Sequence, residues 1–395
     1  MTIIKRLDRR HFLGTTTSAF VLARFGPGCA PNDGAPSPRA PSATDAVMAT
    51  GTAVPPSTDA TQRGTEDAVT AMESAKDTGP TPGPDDAVAE AKDVPPLAPI
   101  VPEPIPPLTS NEDFYVVSYS GPPEEGWDVD WRLTLGGFEA PVMLELAELQ
   151  AFGSETVEHT LECIGNSPPG NAISNAEWTG LRLRDLLEAL ELTVPEGTLW
   201  ITFACGDGYE TFLPFDDDAL DLILVWEMNG EPLPAGHGAP LRALVPGRYG
   251  MKNPKWIAAL AFSNAEEPAG FWESYGWSAE ARYRVHSWVH EPDAGDTLSA
   301  QGVTLLGSAH AGDVPIARVE LSTDGGESWR DAELTYTGPP NAWSLWRFEW
   351  TPEASGPYTI VARATDLNGR VQGSDDDAAP LSGWAGQHTL NITVS

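Results

Sequence analysis

Lys252 and Lys255 are the only lysines after residue 108, and both fall in Tyr249-Gly250-Met251-Lys252-Asn253-Pro254-Lys255-Trp256. Three more bases precede them, in His237-Gly238-Ala239-Pro240-Leu241-Arg242 and Pro246-Gly247-Arg248. Five groups able to carry positive charge therefore crowd into one stretch broken by glycines. Arg offers a planar fork to phosphate and Lys a point charge. Gly-rich turns let backbone N–H groups approach an anion closely. The stretch reads as an anion cradle. The second feature is Cys163, which ends an alternating run and opens into Ile164-Gly165-Asn166-Ser167-Pro168-Pro169-Gly170. A cysteine there suits a soft thiolate ligand or a nucleophile. It equally suits a small buried hydrophobe.

These residues need elements to hold them. Residues 156–163 alternate, with Val157, His159, Leu161 and Cys163 on one face and Glu158, Thr160 and Glu162 on the other, as in a half-buried strand. Residues 131–137 alternate before a Gly turn. Leu183, Leu186, Leu187 and Leu190 have helical spacing. Residues 199–204 read as a buried strand, and Asn229-Gly230 as a hairpin turn. The region 109–285 is thus expected to be an α+β domain. From 286 to 395, strand-like runs recur at 303–309, 316–322, 330–334, 344–350, 358–364 and 389–394. Asp324-Gly325-Gly326, Gly338-Pro339-Pro340 and Asn368-Gly369 separate some of them, the pattern of an immunoglobulin-like β-sandwich. His286, His290 and His310 are read as linker or surface residues, since no carboxylate or Cys constellation surrounds them in sequence.

The chain's 57 acidic and 23 basic residues give a formal charge of −34. Thirteen acids and nine bases precede residue 109, leaving a net of −30 in the remainder. That balance repels nucleic acid and attracts a cationic partner such as a small electron carrier; solubility in salt is the plainer reading. The three cysteines, Cys29, Cys163 and Cys205, form no CxxC or CxxCH, which argues against a Cys-clustered zinc site, an iron–sulfur cluster or covalently held c-type haem. A Cys163–Cys205 disulfide stays open for an oxidising compartment. No Gly-x-Ser-x-Gly elbow supports a serine hydrolase. At the start, Asp8-Arg9-Arg10-His11-Phe12-Leu13-Gly14 and a short apolar run look like a twin-arginine export signal over 1–29, with Cys29 a possible lipidation point. Residues 30–108, rich in Pro, Ala, Thr, Asp and Gly, read as an unstructured tether. The expected location is the periplasm or the outer face of the cytoplasmic membrane.

Taken together, His159-Thr-Leu-Glu-Cys163-Ile-Gly165-Asn166 and Asn175-Ala-Glu-Trp178-Thr-Gly180-Leu-Arg-Leu-Arg-Asp-Leu-Leu resemble the molybdenum-binding segment of the sulfite oxidase family. Gly206-Asp207-Gly208-Tyr209-Glu210 and the two basic segments are similar to its cofactor cradle, in the same order. Leu108-Thr109 with Asn111-Glu-Asp-Phe114-Tyr115 resembles the strand leading into that domain. The C-terminal region resembles the family's dimerisation domain, which implies a homodimer. The resemblance implies that Cys163 is the protein ligand of molybdenum, and that the molybdopterin and its phosphate are held by Asp207, His237, Arg242, Lys252 and Lys255. Asn166 shapes the loop beneath the metal, and Tyr249 is placed near the family's active-site tyrosine. It implies an oxidoreductase that moves an oxygen atom on a small S- or N-oxo substrate and passes electrons to a separate carrier, such as a c-type cytochrome. Two departures bear on substrate. Val117 and Ser167-Pro168 stand where sulfite-oxidising members carry arginines. Those losses leave a second reading, an exported binding or adhesion protein with a vestigial cofactor domain.

Overall fold

Alternation in the sequence becomes strand. A computed structural model describes residues 97–99, 101–168, 170–266, 268, 270–374 and 380–395. Its first half contains β1 (Leu133–Gly136), β2 (Val142–Leu144), α1 (Leu146–Gln150), β3 (Glu155–Glu162), β4 (Ile173–Arg182), α2 (Leu183–Ala189), β5 (Trp200–Cys205), β6 (Glu210–Pro214), β7 (Ile223–Met228), β8 (Glu231–Pro232), β9 (Arg242–Leu244) and β10 (Ile257–Ser263). One sheet runs β2-β1-β10-β5-β6; another runs β3-β4-β7-β8, with β9 paired to β7. Leu183, Leu186 and Leu187 bury the apolar stripe of α2 in a core shared with Leu133, Ile201, Leu224 and Leu260. Asn229 and Gly230 take φ of 52° and 75° between β7 and β8, the backbone a two-residue hairpin demands. Among the described residues, the two α-helices hold only five and seven residues. The α+β expectation is therefore corrected to a mostly β architecture. Among the described residues, the helical spacing of Leu183, Leu186 and Leu187 spans one short helix, and strands carry most of the rest of the fold.

Gly180 sits at a register shift where β4 pairs β7. A Cβ there would lie 2.2 Å from the Leu224 carbonyl oxygen and 2.7 Å from Val225 Cα. Gly180→Ala must push backbone apart and is expected to cost about 1–3 kcal/mol. A lowered urea midpoint at unchanged slope checks this.

The second half contains β11 (His286–Glu291), β12 (Thr297–Leu298), β13 (Val303–His310), β14 (Ile316–Ser322), β15 (Arg330–Asp331), β16 (Glu333–Thr337), β17 (Ser344–Trp350), β18 (Gly356–Asp366) and β19 (His388–Val394). Sheets β11-β13-β17-β16 and β12-β19-β18-β14-β15 close over one core that includes Leu305, Val319, Trp346, Ile360 and Ile392. The six runs read from sequence all fall on strands here, the third divided between β15 and β16.

Strand β3 is the seam between the halves; its first four residues stay partly or fully exposed, while its last four are buried on both faces. His159, Thr160, Leu161 and Glu162 are each at most 2% exposed. The second half covers the polar face: Thr160 N donates to the Asn341 carbonyl, Trp343 N donates to Thr160 Oγ1, and the Tyr336 hydroxyl bonds Glu158. The surface placement of His286 and His310 is likewise corrected. Both are buried beside Glu162 and Tyr283 at this seam, and His290 is partly buried against Ser308.

Within residues 97–108, expected to be unstructured, described residues make specific contacts. The Leu97 carbonyl accepts from Ser299 Oγ, and the Pro107 carbonyl accepts from Asn175 Nδ2 and Trp343 Nε1. Ile105 packs on the cluster of Ile173, Trp288, Trp343 and Leu345. These contacts tie parts of the segment expected to be a tether to the folded chain. Residues 108–115 run as irregular backbone, not as a strand. The export signal, Cys29 and the tether up to residue 96 lie outside the described residues. Among the described residues, no helix is long and apolar enough to cross a membrane.

Candidate active site

Cys163 follows the last residue of β3, and its loop returns to β4. Cys163 N donates to the Ala172 carbonyl at 3.0 Å, and Asn166 N donates to the Cys163 carbonyl at 2.9 Å. The Asn166 side chain closes the loop: Oδ1 accepts from Ala172 N at 3.1 Å, and Nδ2 donates to Glu162 Oε1 at 3.3 Å. Burial raises the Cys163 thiol above its ordinary value, while a hydrogen bond from the Gly165 main chain pulls it down. That N–H is the kind of donor a thiolate needs. A Cβ on Gly165 would lie 3.2 Å from the Trp277 ring, so an aromatic wall stands over the loop. Tyr115, a residue to which the sequence assigned no role, sits within electrostatic reach of Cys163 and Arg242. Its hydroxyl lies 3.1 Å from the position a Cβ on Gly250 would take.

The second group gathers Asp207, His237, Arg242 and Lys255. Arg242 donates from Nη1 to the His237 carbonyl at 3.1 Å and from Nη2 to the Asn253 carbonyl at 3.2 Å, and its guanidinium rests on Trp178. Lys255 Nζ donates to the Gly236 carbonyl at 3.1 Å and lies over the Trp256 ring. His237 Nε2 meets the Asn111 carbonyl at 2.9 Å. Gly238 lets these strands converge, since a Cβ there would lie 3.1 Å from both Arg242 Cβ and Lys255 Cβ. Trp256 takes φ of 53°, a conformation that strains a bulky residue. It is pinned there by bonds from Gly206 N to its carbonyl, from its N to the Gly238 carbonyl, and from Nε1 to the Ala235 carbonyl.

This group lacks the partner that an anion would supply. Burial and then Arg242 push Lys255 down to about 7, with Asp207 opposing; burial takes Arg242 down to about 10. Arg242 Nε is buried without a hydrogen bond. A phosphate would fill that Nε and reverse both shifts. With a part-buried thiol on the neighbouring loop, the residues present fit a phosphate-bearing organic group that carries a thiophilic metal.

Three expected residues stand apart. Lys252 is fully buried, but its ammonium bonds the Glu273 carboxylate and the Phe212 carbonyl, and Arg248 pairs with Glu280. The five-cation cradle therefore divides, leaving His237, Arg242 and Lys255. Lys252 points instead to Glu273, since a buried ammonium takes the nearest carboxylate. Tyr249 is 1% exposed among Ile164, Met251, Ala281 and Tyr283, its ring beneath Gly383. It is enclosed rather than open to a substrate; both Tyr249 and Tyr115 lie within electrostatic reach of Cys163, and Tyr115 lies within reach of Arg242 as well. Cys205 packs beside the α2 core at the end of β5, and both thiols are free, which removes the disulfide. The placement of Tyr115 beside Cys163 and Arg242 had no signal in spacing, because it depends on elements far apart in sequence; the Glu162–Asn166 link spans only four residues but forms inside a loop whose path the spacing does not fix.

A family model described as "Oxidoreductase molybdopterin binding domain" matches residues 120–272, and one described as "Mo-co oxidoreductase dimerisation domain" matches residues 278–385. The chain is 31% identical over 324 residues to sulfite oxidase of Gallus gallus, an alignment covering 69% of each chain. It is 28% identical over 323 residues to mitochondrial sulfite oxidase of Rattus norvegicus, covering 69% of this chain but 58% of that one, under two thirds of its length. The sulfane dehydrogenase SoxCD of Paracoccus pantotrophus shares the fold at a TM-score of 0.60 and 23% identity, over 71% of this chain and 80% of that one. Matched models for both functional modules, and a relative above 30% identity aligned over more than two thirds of its length, place the chain in the sulfite oxidase family of molybdenum-cofactor oxidoreductases.

Proposed function

We propose that the chain is an exported oxidoreductase that moves an oxygen atom to or from a small sulfur or nitrogen compound and exchanges electrons with a separate carrier. The observation that carries this is the juxtaposition of a thiol supported by the Gly165 N–H with a buried, anion-deficient cation group, Tyr115 reaching both. When bound, the cofactor supplies the two-electron oxygen-atom chemistry. Cys163 would give the protein sulfur to the metal. Arg242 and Lys255 would hold the phosphate, His237 and Asp207 the pterin, and Asn166 the loop. Lys252 would brace that wall through Glu273. Residues 109–285 would form the cofactor domain and 286–395 an immunoglobulin-like dimerisation domain, giving a homodimer.

The missing arginines favour a substrate without full negative charge. Val117, 49% exposed, and Ser167, also exposed, stand where the resemblance expects those arginines. Each absent charge-assisted hydrogen bond to a small oxyanion costs roughly 1.5–3 kcal/mol. Sulfoxides and N-oxides need less charge compensation than sulfite does. The test is molybdenum analysis of protein produced with its leader intact, followed by turnover of sulfite, dimethyl sulfoxide and trimethylamine N-oxide with artificial electron donors and acceptors. Near-stoichiometric metal, with sulfoxide or N-oxide turned over faster than sulfite, is the expected result. A well-folded product without molybdenum sinks the reading.

The net of −30 after residue 108 favours a cationic carrier, with a basic c-type cytochrome the natural candidate. Electron transfer to it is expected to slow severalfold between low and physiological ionic strength. A rate indifferent to salt in stopped-flow mixing removes the electrostatic docking. A twin-arginine leader would export the enzyme already folded around its cofactor, to the periplasm or to the outer membrane face through a lipid on Cys29.

A further inference from the structure

A line of contacts leads from the second domain to the Cys163 loop. His286, the first residue of β11, is 1% exposed. Its Nδ1 lies 2.9 Å from the Arg284 carbonyl, which fixes that nitrogen as the donor and turns Nε2 toward β3. Nε2 lies 3.3 Å from Glu162 Oε2, and neither atom has a hydrogen-bond partner otherwise. One proton between them satisfies both. The other Glu162 oxygen accepts from Asn166 Nδ2. Asn166 in turn is tied to the Cys163 carbonyl and to Ala172 N. Glu162 N also donates to the Tyr283 hydroxyl at 3.0 Å.

We propose that His286 is a positioning residue for Cys163, acting from the second domain through Glu162 and Asn166 to set the direction of the sulfur. The second domain then does more than join two copies of the chain: it completes the first domain's active site. The inference rests on the reading of Cys163 as the metal ligand, but its geometric part can be measured without metal.

The test uses the full chain with Cys205→Ser, so that Cys163 is the thiol read in the folded domains. His286→Asn keeps the bond to the Arg284 carbonyl but falls short of Glu162; His286→Gln reaches Glu162. Tyr336→Phe removes the Glu158 contact at the same seam without touching the loop. In cofactor-free protein, iodoacetamide is expected to alkylate Cys163 about tenfold faster in His286→Asn than in the parent, the scale of one lost buried hydrogen-bonded link. His286→Gln and Tyr336→Phe should stay within about twofold of the parent, and thermal midpoints should stay close throughout. In molybdenum-loaded protein, the sulfur-to-metal absorption band should shift in His286→Asn alone, with kcat falling and KM holding. Equal acceleration in Tyr336→Phe overturns the proposal, because general loosening of the seam then explains the effect. An unchanged alkylation rate in His286→Asn also overturns it. A faster rate in protein that binds no molybdenum sustains the link from His286 to the loop and rejects the metal assignment instead.

Discussion

Cys163→Ser is expected to lower kcat by at least about a thousandfold, beyond the 10–100-fold that changes behind a metal's ligands cost, and to remove the sulfur-to-metal absorption band. Cys205→Ser should keep both within a factor of about two, since a surface or packing change away from the site moves little. The contrast follows from where the two sulfurs lie. Cys163 follows β3 and Cys205 ends β5, and burial raises each thiol above its ordinary value. For Cys163 a main-chain N–H is the next influence and opposes that rise, ahead of a smaller push upward from Glu162. For Cys205 the next influences are Asp207 and Glu210, which raise it further. A thiol held protonated by burial and two carboxylates is poor material for a ligand. Serine is close to cysteine in size, so Cys163→Ser should fold normally; its hydroxyl does not offer the soft anionic sulfur that such a metal prefers. Molybdenum content and the visible spectrum, read on the same preparations, check the prediction. Loss of both in Cys205→Ser with retention in Cys163→Ser reverses the assignment.

Features carried by one stretch of chain were legible in the sequence. The period-2 runs gave strands, Leu183-Leu186-Leu187 gave α2, and Asn229-Gly230 gave its hairpin. The gathering of His237, Arg242 and Lys255 near Asp207 was legible because Gly and Pro turns fold that stretch back on itself within a few residues. What stayed hidden was whatever a distant element decides. Alternation in β3 marks two faces, but burial of the second face depends on Asn341 and Trp343, nearly two hundred residues away. The same closure makes His286 and His310 interior residues. Lys252 has the residue type and spacing of its neighbour Lys255, yet Glu273 claims it; no local pattern announces that choice. The surroundings of the tyrosines were hidden for a similar reason: Tyr249 packs against Tyr283 and beneath Gly383, while Tyr115 arrives from an irregular segment.

Removing charge from the anion group should show in two places at once. In molybdenum-loaded preparations, Arg242→Met is expected to cut metal content by about ten- to a hundredfold, since one buried charge-assisted contact to phosphate is worth roughly 1.5–3 kcal/mol. Arg242→Lys, which keeps a charge but loses the fork, should fall between the two. In cofactor-free protein the signature is a pH slope. Lys255 falls from an ordinary 10.5 to about 7 in the folded chain. Between those values the unfolded chain holds a proton that the folded chain lacks, so this group makes stability rise with pH from about 7 to about 10.5. The charged lysine weakens the fold below that window, and above it the penalty is gone. Inorganic pyrophosphate, added as a mimic of the phosphate, brings the folded value back up. It should therefore flatten the slope, bind with uptake of a proton near pH 8, and weaken as pH rises further. Lys255→Met should flatten the slope without pyrophosphate and abolish the proton uptake. Urea titrations from pH 6.5 to 9.5 and calorimetry in buffers of different ionisation enthalpy measure both. A parent and a Lys255→Met variant with the same slope would show that Lys255 is already paired, and the anion group would lose its claim on a phosphate.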